Sequence, residues 1–287
     1  MSKLKLPSAL VGVDWLAGHL DTENLVLLDA SVPPIAPFTR QKLPESQPAR
    51  HLPGALRFDY DKDICDQQSS LPHMMPDVDL FSEKVRELGI DADSAVVVYD
   101  DIGVYASPRA WWMFRAMGHD NVAVLNGGAV AWHQAGLSLV DKLEDKSARP
   151  GNFQGGLRPG LFCDALAVYE LLNDNSSLIL DARSEGRFAG RDPEPRPNLR
   201  GGHMPGARCM PFQQVLDDIY LKPAEELRRL FADVAPGQKL VFTCGSGLSA
   251  CILTLAAWQA DLTDLSVYDG SWSEWGQPGK LPVVAGA

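Results

Sequence analysis

A cysteine followed by a glycine-rich turn is the part of this sequence best suited to chemistry. The apolar run 240–242 leads through Thr243 to Cys244, and Gly-Ser-Gly-Leu-Ser follows. This order predicts a buried strand, a tight turn and the start of a helix. The N–H groups of such a turn, with the positive end of the helix, stabilise an anion such as a thiolate or a persulfide. We interpret Cys244 as a nucleophile, because a packing cysteine needs no glycine-rich turn.

Two other interpretations of these residues are weaker. Gly245-x-Gly247-x-x-Ala250 fits a loose dinucleotide fingerprint, but that motif opens a long doubly wound fold. Too short a stretch follows Ala250 to complete one. A cysteine phosphatase needs an arginine to close its loop on the phosphate, and Ala250 occupies that position.

The composition is that of an ordinary globular protein. Of its residues 45% are hydrophobic and 22% are charged. The length of 287 residues predicts two domains. A net charge of −11 disfavours nucleic acid and anionic membrane surfaces as partners. Five cysteines without paired spacing suggest neither a disulfide framework nor a zinc site, and no metal or cofactor is expected. No secretory signal and no membrane span are predicted, so a reducing cytoplasm is the expected location.

The chain consists of two similar halves. Leu-Leu-Asp-Ala at 27–30 matches Ile-Leu-Asp-Ala at 179–182, and His-x-Pro-Gly-Ala occurs at 51–55 and at 203–207. The apolar run that ends at Asp100 matches the run that ends at Cys244. Farther on, Leu-Asn-Gly-Gly with Trp132 matches Tyr-Asp-Gly with Trp275. Four matched blocks in one order indicate a duplicated domain.

Each half alternates apolar strands with amphipathic helices, which predicts an α/β fold with a mostly parallel sheet and helices on both faces. Strands are predicted at 25–28, 96–99, 122–125, 178–180, 240–242 and 265–268, and helices at 79–88, 107–117, 224–231 and 249–260. The stretch 141–159 is polar and rich in glycine and proline. We predict domains at 1–140 and 160–287 with this stretch as their linker.

Over nearly its whole length the chain resembles the tandem rhodanese-like sulfurtransferases. The motifs that carry the resemblance are His-x-Pro-Gly-Ala in both halves, Ser-Pro-Arg-Ala-Trp-Trp at 107–112, the 181–195 block and Tyr-Asp-Gly-Ser-Trp-Ser-Glu-Trp at 268–275. The resemblance implies a single catalytic cysteine in the C-terminal domain, at Cys244. Asp100 stands at the matching place in the N-terminal half and cannot hold sulfane sulfur, so that half is expected to be catalytically silent.

The residues after the cysteine separate two substrate classes in this family. Thiosulfate enzymes carry cations there, whereas the mercaptopyruvate branch carries Cys-Gly-Ser-Gly-Val-Thr, close to the neutral loop of this chain. The resemblance thus implies that sulfur passes from 3-mercaptopyruvate through a Cys244 persulfide to an acceptor, with release of pyruvate. The acceptor would be a thiol, such as thioredoxin or glutathione, or cyanide. The loop residues expected at the substrate are Gly245, Gly247, Leu248 and Ser249.

Further site residues follow from the same resemblance. Arg187 and Arg196 match the arginines that bind the substrate carboxylate, whereas the nearby Arg183, Arg191 and Arg200 are weaker candidates. Ser246 is expected to form a proton relay with His73 and Asp61 from the N-terminal half, and Asp63 competes with Asp61 for that place.

Other motifs predict structural roles. His51 and His203 begin the same His-x-Pro-Gly-Ala motif in the two halves, so they are expected to be structural. The strand-end residues Asp29 and Asp181 are expected to be structural as well. Cys251 is either a buried helix residue or a redox partner of Cys244. Two other functions stay open: a thiosulfate:cyanide sulfurtransferase, and a persulfide carrier without catalysis of its own.

Overall fold

A computed structural model describes residues 3–35, 42, 50–144, 149–172, 174, 176–234, 237–279 and 281–286. Within these residues the chain divides into two compact units, Met1–Gln67 with Met75–Arg158 and Asp217–Leu221, and Gln68–Met74 with Pro159–Leu216 and Lys222–Ala287. The segment 149–158, part of the predicted linker, packs within the first unit, where Phe153 is buried against Phe81 and Phe114. Residues 145–148 of that linker lie outside the described residues, and the domain limits drawn from the sequence stay a prediction.

Each half contains a parallel sheet with the same strand order. In the described part of the first half the sheet has five strands, ordered β1-β5-β4-β2-β3. They are β1 (Leu10–Val11), β2 (Leu25–Asp29), β3 (Leu56–Arg57), β4 (Ala95–Tyr99) and β5 (Val122–Leu125). Every residue of β4 is buried, so both faces of this sheet are covered, as expected for parallel sheets.

The second half repeats this arrangement. Its strands are β6 (Phe162–Cys163), β7 (Ser177–Asp181), β8 (Arg208–Cys209), β9 (Leu216–Asp217), β10 (Tyr220–Leu221), β11 (Lys239–Thr243) and β12 (Leu265–Tyr268). Among the described residues five of these form a parallel sheet ordered β6-β12-β11-β7-β8, while β9 and β10 form a separate ribbon. The central strand of this sheet is β11, which leads to Cys244.

Helices follow most of the strands. In the first half they are α1 (Val13–Ala17), α2 (Val78–Glu87), α3 (Ser107–Ala116) and α4 (Gly128–Gln134). In the second half they are α5 (Ala165–Leu171), α6 (Glu185–Phe188), α7 (Ala224–Val234), α8 (Leu248–Gln259) and α9 (Ser271–Trp275), with a 3-10 turn at Phe212–Val215. Aspartates cap two of them: the side chains of Asp77 and Asp164 accept backbone N–H groups of α2 and α5. No helix in the described ranges is long and apolar enough to cross a membrane.

The predicted fold class, two α/β units with mostly parallel sheets, is confirmed. The sequence missed the short elements. The edge strands β1, β3, β6 and β8 have two residues each, too few to show a hydrophobic period. The short helices α1, α4, α5, α6 and α9 were missed for the same reason. The longer helices were predicted within three residues of their observed ends.

Candidate active site

Cys244 lies directly after β11, at the start of the turn that leads into α8. Gly247, the residue before the helix, has a φ of 72°, a left-handed conformation that glycine adopts without steric cost. The strand–turn–helix order predicted from the sequence is present. It leaves Cys244 2% exposed. The N-terminus of α8, a helix of 12 residues, lies at this loop, and its dipole favours an anion there.

The start of α9 fixes the orientation of the cysteine loop. The N–H of Trp272 donates to the carbonyl oxygen of Cys244 at 2.9 Å, and the N–H of Ser273 donates to that of Gly245 at 2.9 Å. The hydroxyl of Ser273 donates to the same Gly245 oxygen at 2.6 Å. In a trans peptide the N–H points opposite to the preceding carbonyl. The N–H groups of Gly245 and Ser246 therefore point away from α9.

Two arginines border Gly245. A Cβ placed on this glycine would lie 3.2 Å from Nη2 of Arg187 and 3.6 Å from Nη1 of Arg196. The sequence separates these arginines from the cysteine loop by tens of residues, and the fold of the second unit brings them together. The result is a cationic wall beside a buried cysteine, which suits the carboxylate of a small substrate.

Glu194 holds the guanidinium of Arg187. Its Oε2 accepts from Nη2 of Arg187 at 2.6 Å and from Nε at 3.2 Å. Its Oε1 accepts from Nη1 of Arg183 at 2.8 Å. The Glu194 side chain is 3% exposed, and that of Arg187 is 17% exposed. The arginine at the loop is thus fixed by a buried carboxylate that it shares with a second arginine.

Arg196 comes from a loop that is closed at its base by glycines. A Cβ on Gly201 would lie 3.2 Å from Cα of Gly190, so the two ends of the loop are in close contact. A cavity of about 420 Å³ lies beside Arg196 and is also lined by Ser273 and Leu71. This volume is within the range of small-molecule sites.

His73 belongs to the same compact unit as Cys244, although it comes from the N-terminal half of the sequence. It is buried and has a φ of 63°, a strained conformation for a residue with a side chain. Asp61 and Asp63 are exposed residues of the first unit, in the turn after Asp59. The relay of Ser246, His73 and an aspartate stays a prediction.

The remaining residues of the cysteine loop lie at the start of α8. Ser246 and Leu248 are buried, while Ser249 is partly exposed in the first turn of α8. The Sγ of Cys251, which is fully buried on α8, donates to the carbonyl oxygen of Gly247 at 3.2 Å. This contact favours the structural interpretation of Cys251.

Three other thiols are held in their protonated form. Burial raises the pKa of Cys163 to about 11 and that of Cys209 to about 12. Burial, reinforced by Asp61 and nearby carboxylates, also raises the pKa of Cys65. All five cysteines are free thiols. The described residues contain no group of histidines, cysteines and carboxylates that could hold a metal ion.

The histidines of the repeated turns are structural. Nδ1 of His51 lies 2.7 Å from Oδ2 of Asp29. Nδ1 of His203 lies 2.9 Å from the carbonyl oxygen of Phe188 instead, and the two rings stack at 3.7 Å. His203 thereby supports α6, the helix that carries Arg187.

Asp100 fills the anion cradle of the first half. Its Oδ2 accepts from the N–H groups of Tyr105, Ala106 and Ser107 at 2.9–3.0 Å and from the Ser107 hydroxyl at 2.8 Å. Burial raises the pKa of Asp100, and hydrogen bonds from Ser107 oppose that shift. A carboxylate thus occupies the position where the second half has its cysteine.

The pairing of Glu194 with two arginines was not predicted from the sequence. Glu194 lies in the 181–195 block, but its partners are side chains 7 and 11 residues away. One signal was present in the repeat. Where the first half has Ser31, the second half has Arg183, and an unpaired buried arginine is too costly to stand alone.

Comparisons with known proteins show which family this chain is similar to. A family model described as "Rhodanese-like domain" matches residues 12–135 and 164–278. The 3-mercaptopyruvate sulfurtransferase of Homo sapiens is 38% identical, over 96% of this chain and 94% of its own length. The thiosulfate sulfurtransferase of Rattus norvegicus is 40% identical, over 93% and 91%. The solved structure of SseA, a 3-mercaptopyruvate sulfotransferase from Escherichia coli, superposes with a TM-score of 0.77 at 32% identity, covering 93% of this chain and 100% of that one.

The chain belongs to the rhodanese-like family, and both halves match its domain. The resemblance found in the sequence is confirmed, as is the prediction of an enzyme of the sulfurtransferase class.

Proposed function

We propose that the chain moves sulfur from 3-mercaptopyruvate to an acceptor through a persulfide on Cys244. The observation that carries the proposal is the approach of two guanidinium groups, those of Arg187 and Arg196, to Gly245 beside the buried cysteine. Arginine binds a carboxylate through two parallel hydrogen bonds. The neutral loop Gly-Ser-Gly-Leu-Ser adds no cation for a dianion. The similarity to the human 3-mercaptopyruvate sulfurtransferase supports the same donor.

The first half-reaction forms one S–S bond and breaks one C–S bond. The Cys244 thiolate attacks the sulfur of 3-mercaptopyruvate, and the electron pair of the C–S bond goes to the methylene carbon. The carbon gains two electrons, formally one from each sulfur of the new S–S bond, and pyruvate leaves as its enolate. The proton of the substrate thiol goes to that carbon, which leaves a persulfide anion on Cys244. The N–H groups of Gly245 and Ser246 and the start of α8 stabilise this anion.

The proton transfer falls to Ser246 and His73. Ser246 is two residues beyond the nucleophile, and the buried His73 belongs to the same unit. A histidine that is oriented by a carboxylate, either Asp61 or Asp63, moves a proton at neutral pH. A left-handed φ of 63° at His73 is the type of strain that functional sites retain.

The second half-reaction returns the cysteine. A thiol, such as glutathione or a thioredoxin thiol, attacks the outer sulfur and leaves as a new persulfide, while Cys244 departs as thiolate. Cyanide would leave as thiocyanate. Because the reaction needs a thiolate, we propose a reducing compartment, the cytoplasm, as its location.

A second candidate donor is thiosulfate. The similarity to a rat thiosulfate sulfurtransferase at 40% identity favours it, and the arginines beside Gly245 would also attract this dianion. The neutral residues that follow Cys244 favour mercaptopyruvate.

The test is intact-mass spectrometry after brief exposure to 3-mercaptopyruvate or to thiosulfate, with Cys244→Ala as the control. The proposal predicts a gain of one sulfur atom with 3-mercaptopyruvate that is absent from the variant. A gain with thiosulfate alone would move the chain to the second donor. A gain with neither donor would contradict catalysis and favour a carrier that receives its persulfide from a partner protein.

A further inference from the structure

A buried arginine lies behind the arginines of the site. The Arg183 side chain is 0% exposed. Its Nη2 donates to Oδ2 of Asp181 at 2.6 Å and to the carbonyl oxygen of Gly202 at 2.8 Å. Its guanidinium carbon lies 4.0 Å from the centre of the Trp272 ring. Burial opposes the charge, but the carboxylates of Asp181 and Glu194 outweigh it and raise the pKa of Arg183. This group is a fixed cation at physiological pH.

Glu194 joins this fixed cation to the site. One carboxylate oxygen binds Arg183 and the other binds Arg187. The carboxylate allows two guanidinium groups to lie close together without net repulsion. Because Arg183 is immobile, Glu194 is fixed, and Nη2 of Arg187 is fixed beside Gly245. Within the described residues Nη1 of Arg187 takes part in no hydrogen bond, so its donors are available to a ligand.

The duplicated half supplies an internal comparison. The N–H groups of Ser31 and Arg183 each donate to the aspartate two residues earlier, both at 2.9 Å. In the first half the carboxylate of that aspartate, Asp29, pairs with His51. In the second half Arg183 takes over the carboxylate of Asp181. The half with the cysteine therefore has an arginine at this position, where the other half has a serine.

We propose that Glu194 is a positioning residue that sets Arg187 for a carboxylate-bearing donor, and that Arg183 is the anchor of Glu194. This inference rests on the proposed function, because it gives Arg187 a substrate carboxylate to bind. Glu194 itself touches no reacting atom. Its effect is on the affinity for the donor, through the geometry of Arg187.

The test compares Glu194→Gln with Glu185→Gln. The control removes the same charge from an exposed carboxylate of α6. KM and kcat for 3-mercaptopyruvate are measured, and pyruvate is titrated as a protector of Cys244 against iodoacetamide. Loss of one charge-assisted contact predicts that KM and the half-protecting pyruvate concentration rise about tenfold or more in Glu194→Gln. Smaller changes are expected in kcat and in the iodoacetamide rate without pyruvate. Glu194→Asp, which keeps the charge, is expected to recover part of the affinity.

Three results would overturn the inference. One is an unchanged KM and pyruvate protection in Glu194→Gln. Another is an equal loss in Glu185→Gln. The third is a changed iodoacetamide rate without pyruvate, together with a lowered thermal unfolding midpoint in both Glu194 variants, which would assign Glu194 to folding alone. The pyruvate titration needs no turnover, so it separates this inference from the donor. If the wild type takes sulfur from thiosulfate only, the proposed function fails, and weakened pyruvate protection still supports Glu194 as a positioning residue.

Discussion

The N–H of Trp272 donates to the carbonyl oxygen of Cys244 at 2.9 Å, and the first half makes the same contact between Ala129 and Asp100 at 3.0 Å. The start of the helix after the last sheet strand thus holds the turn in both halves. What differs is the side chain that the turn presents. In the first half the Asp100 carboxylate accepts the N–H groups of Ala106 and Ser107. In the second half Cys244 stands at that position, and under the proposed function its persulfide anion takes the place of the carboxylate.

Replacement of Arg187 is expected to weaken donor binding. Arg187→Ala removes a cation that borders Gly245, so kcat/KM for 3-mercaptopyruvate should fall by about 10- to 100-fold, mainly through KM. Arg187→Lys should recover little, because lysine cannot form the two parallel hydrogen bonds. Steady-state kinetics check this, with Arg191→Ala, an exposed arginine of the same loop, as the control. An unchanged KM in Arg187→Ala would assign this arginine to structure.

A methyl group at residue 245 is expected to disturb the site without unfolding the protein. The alanine Cβ would lie 3.2 Å from Nη2 of Arg187, so the guanidinium must shift by a few tenths of an ångström. We expect KM to rise several-fold, with a change in unfolding free energy below about 0.5 kcal/mol. Gly247→Ala should instead cost about 1 kcal/mol, because that residue has a φ of 72°. Kinetics and denaturant unfolding of both variants, with Gly156→Ala as the control, separate the two effects.

The relay predicts a loss of rate rather than of affinity. Ser246→Ala and His73→Ala should each lower kcat by about 100-fold or more, with little change in KM, because proton transfer contributes about that much. The double variant should be no slower than the slower single one, since the two residues act as a unit. Asp61→Asn and Asp63→Asn decide which aspartate takes part. Full turnover in Ser246→Ala would remove the relay.

The sequence predicted the central strands and the cysteine loop because their signals are local. β4 is a continuous apolar run and β11 contains one at 240–242, and the glycines of the Gly-Ser-Gly turn predict the turn from the sequence alone. The pairing of Arg183 and Arg187 through Glu194 could not be predicted from the sequence. That pairing depends on the path of a loop whose ends meet at Gly190 and Gly201, and such a path leaves no periodic signal.

Cys163 and Cys209 should resist alkylation at neutral pH. Burial raises the pKa of Cys163 to about 11 and that of Cys209 to about 12. With these pKa values the two thiols stay protonated at pH 7. Because only thiolates react with iodoacetamide, their reactivity should increase as the pH rises toward those values. Iodoacetamide labelling of Cys244→Ala between pH 7 and pH 10, followed by mass spectrometry, checks this. Fast labelling of Cys209 at pH 7 would contradict it and would weaken the assignment of a single sulfur-bearing thiol.

The first half should depend on Asp100 for its stability. Asp100→Ala leaves the N–H groups of Tyr105, Ala106 and Ser107 buried without their acceptor, and each such loss costs about 1–3 kcal/mol. We expect the unfolding free energy to fall by at least about 3 kcal/mol. Asp100→Asn keeps one acceptor oxygen and should lose less. Denaturant unfolding measures both. If Asp100→Ala were as stable as the wild type, the carboxylate would not be what holds this turn closed, and the cradle would be rigid without an anion. That result would also remove the argument that the matching turn at Cys244 is completed by the negative charge of a persulfide.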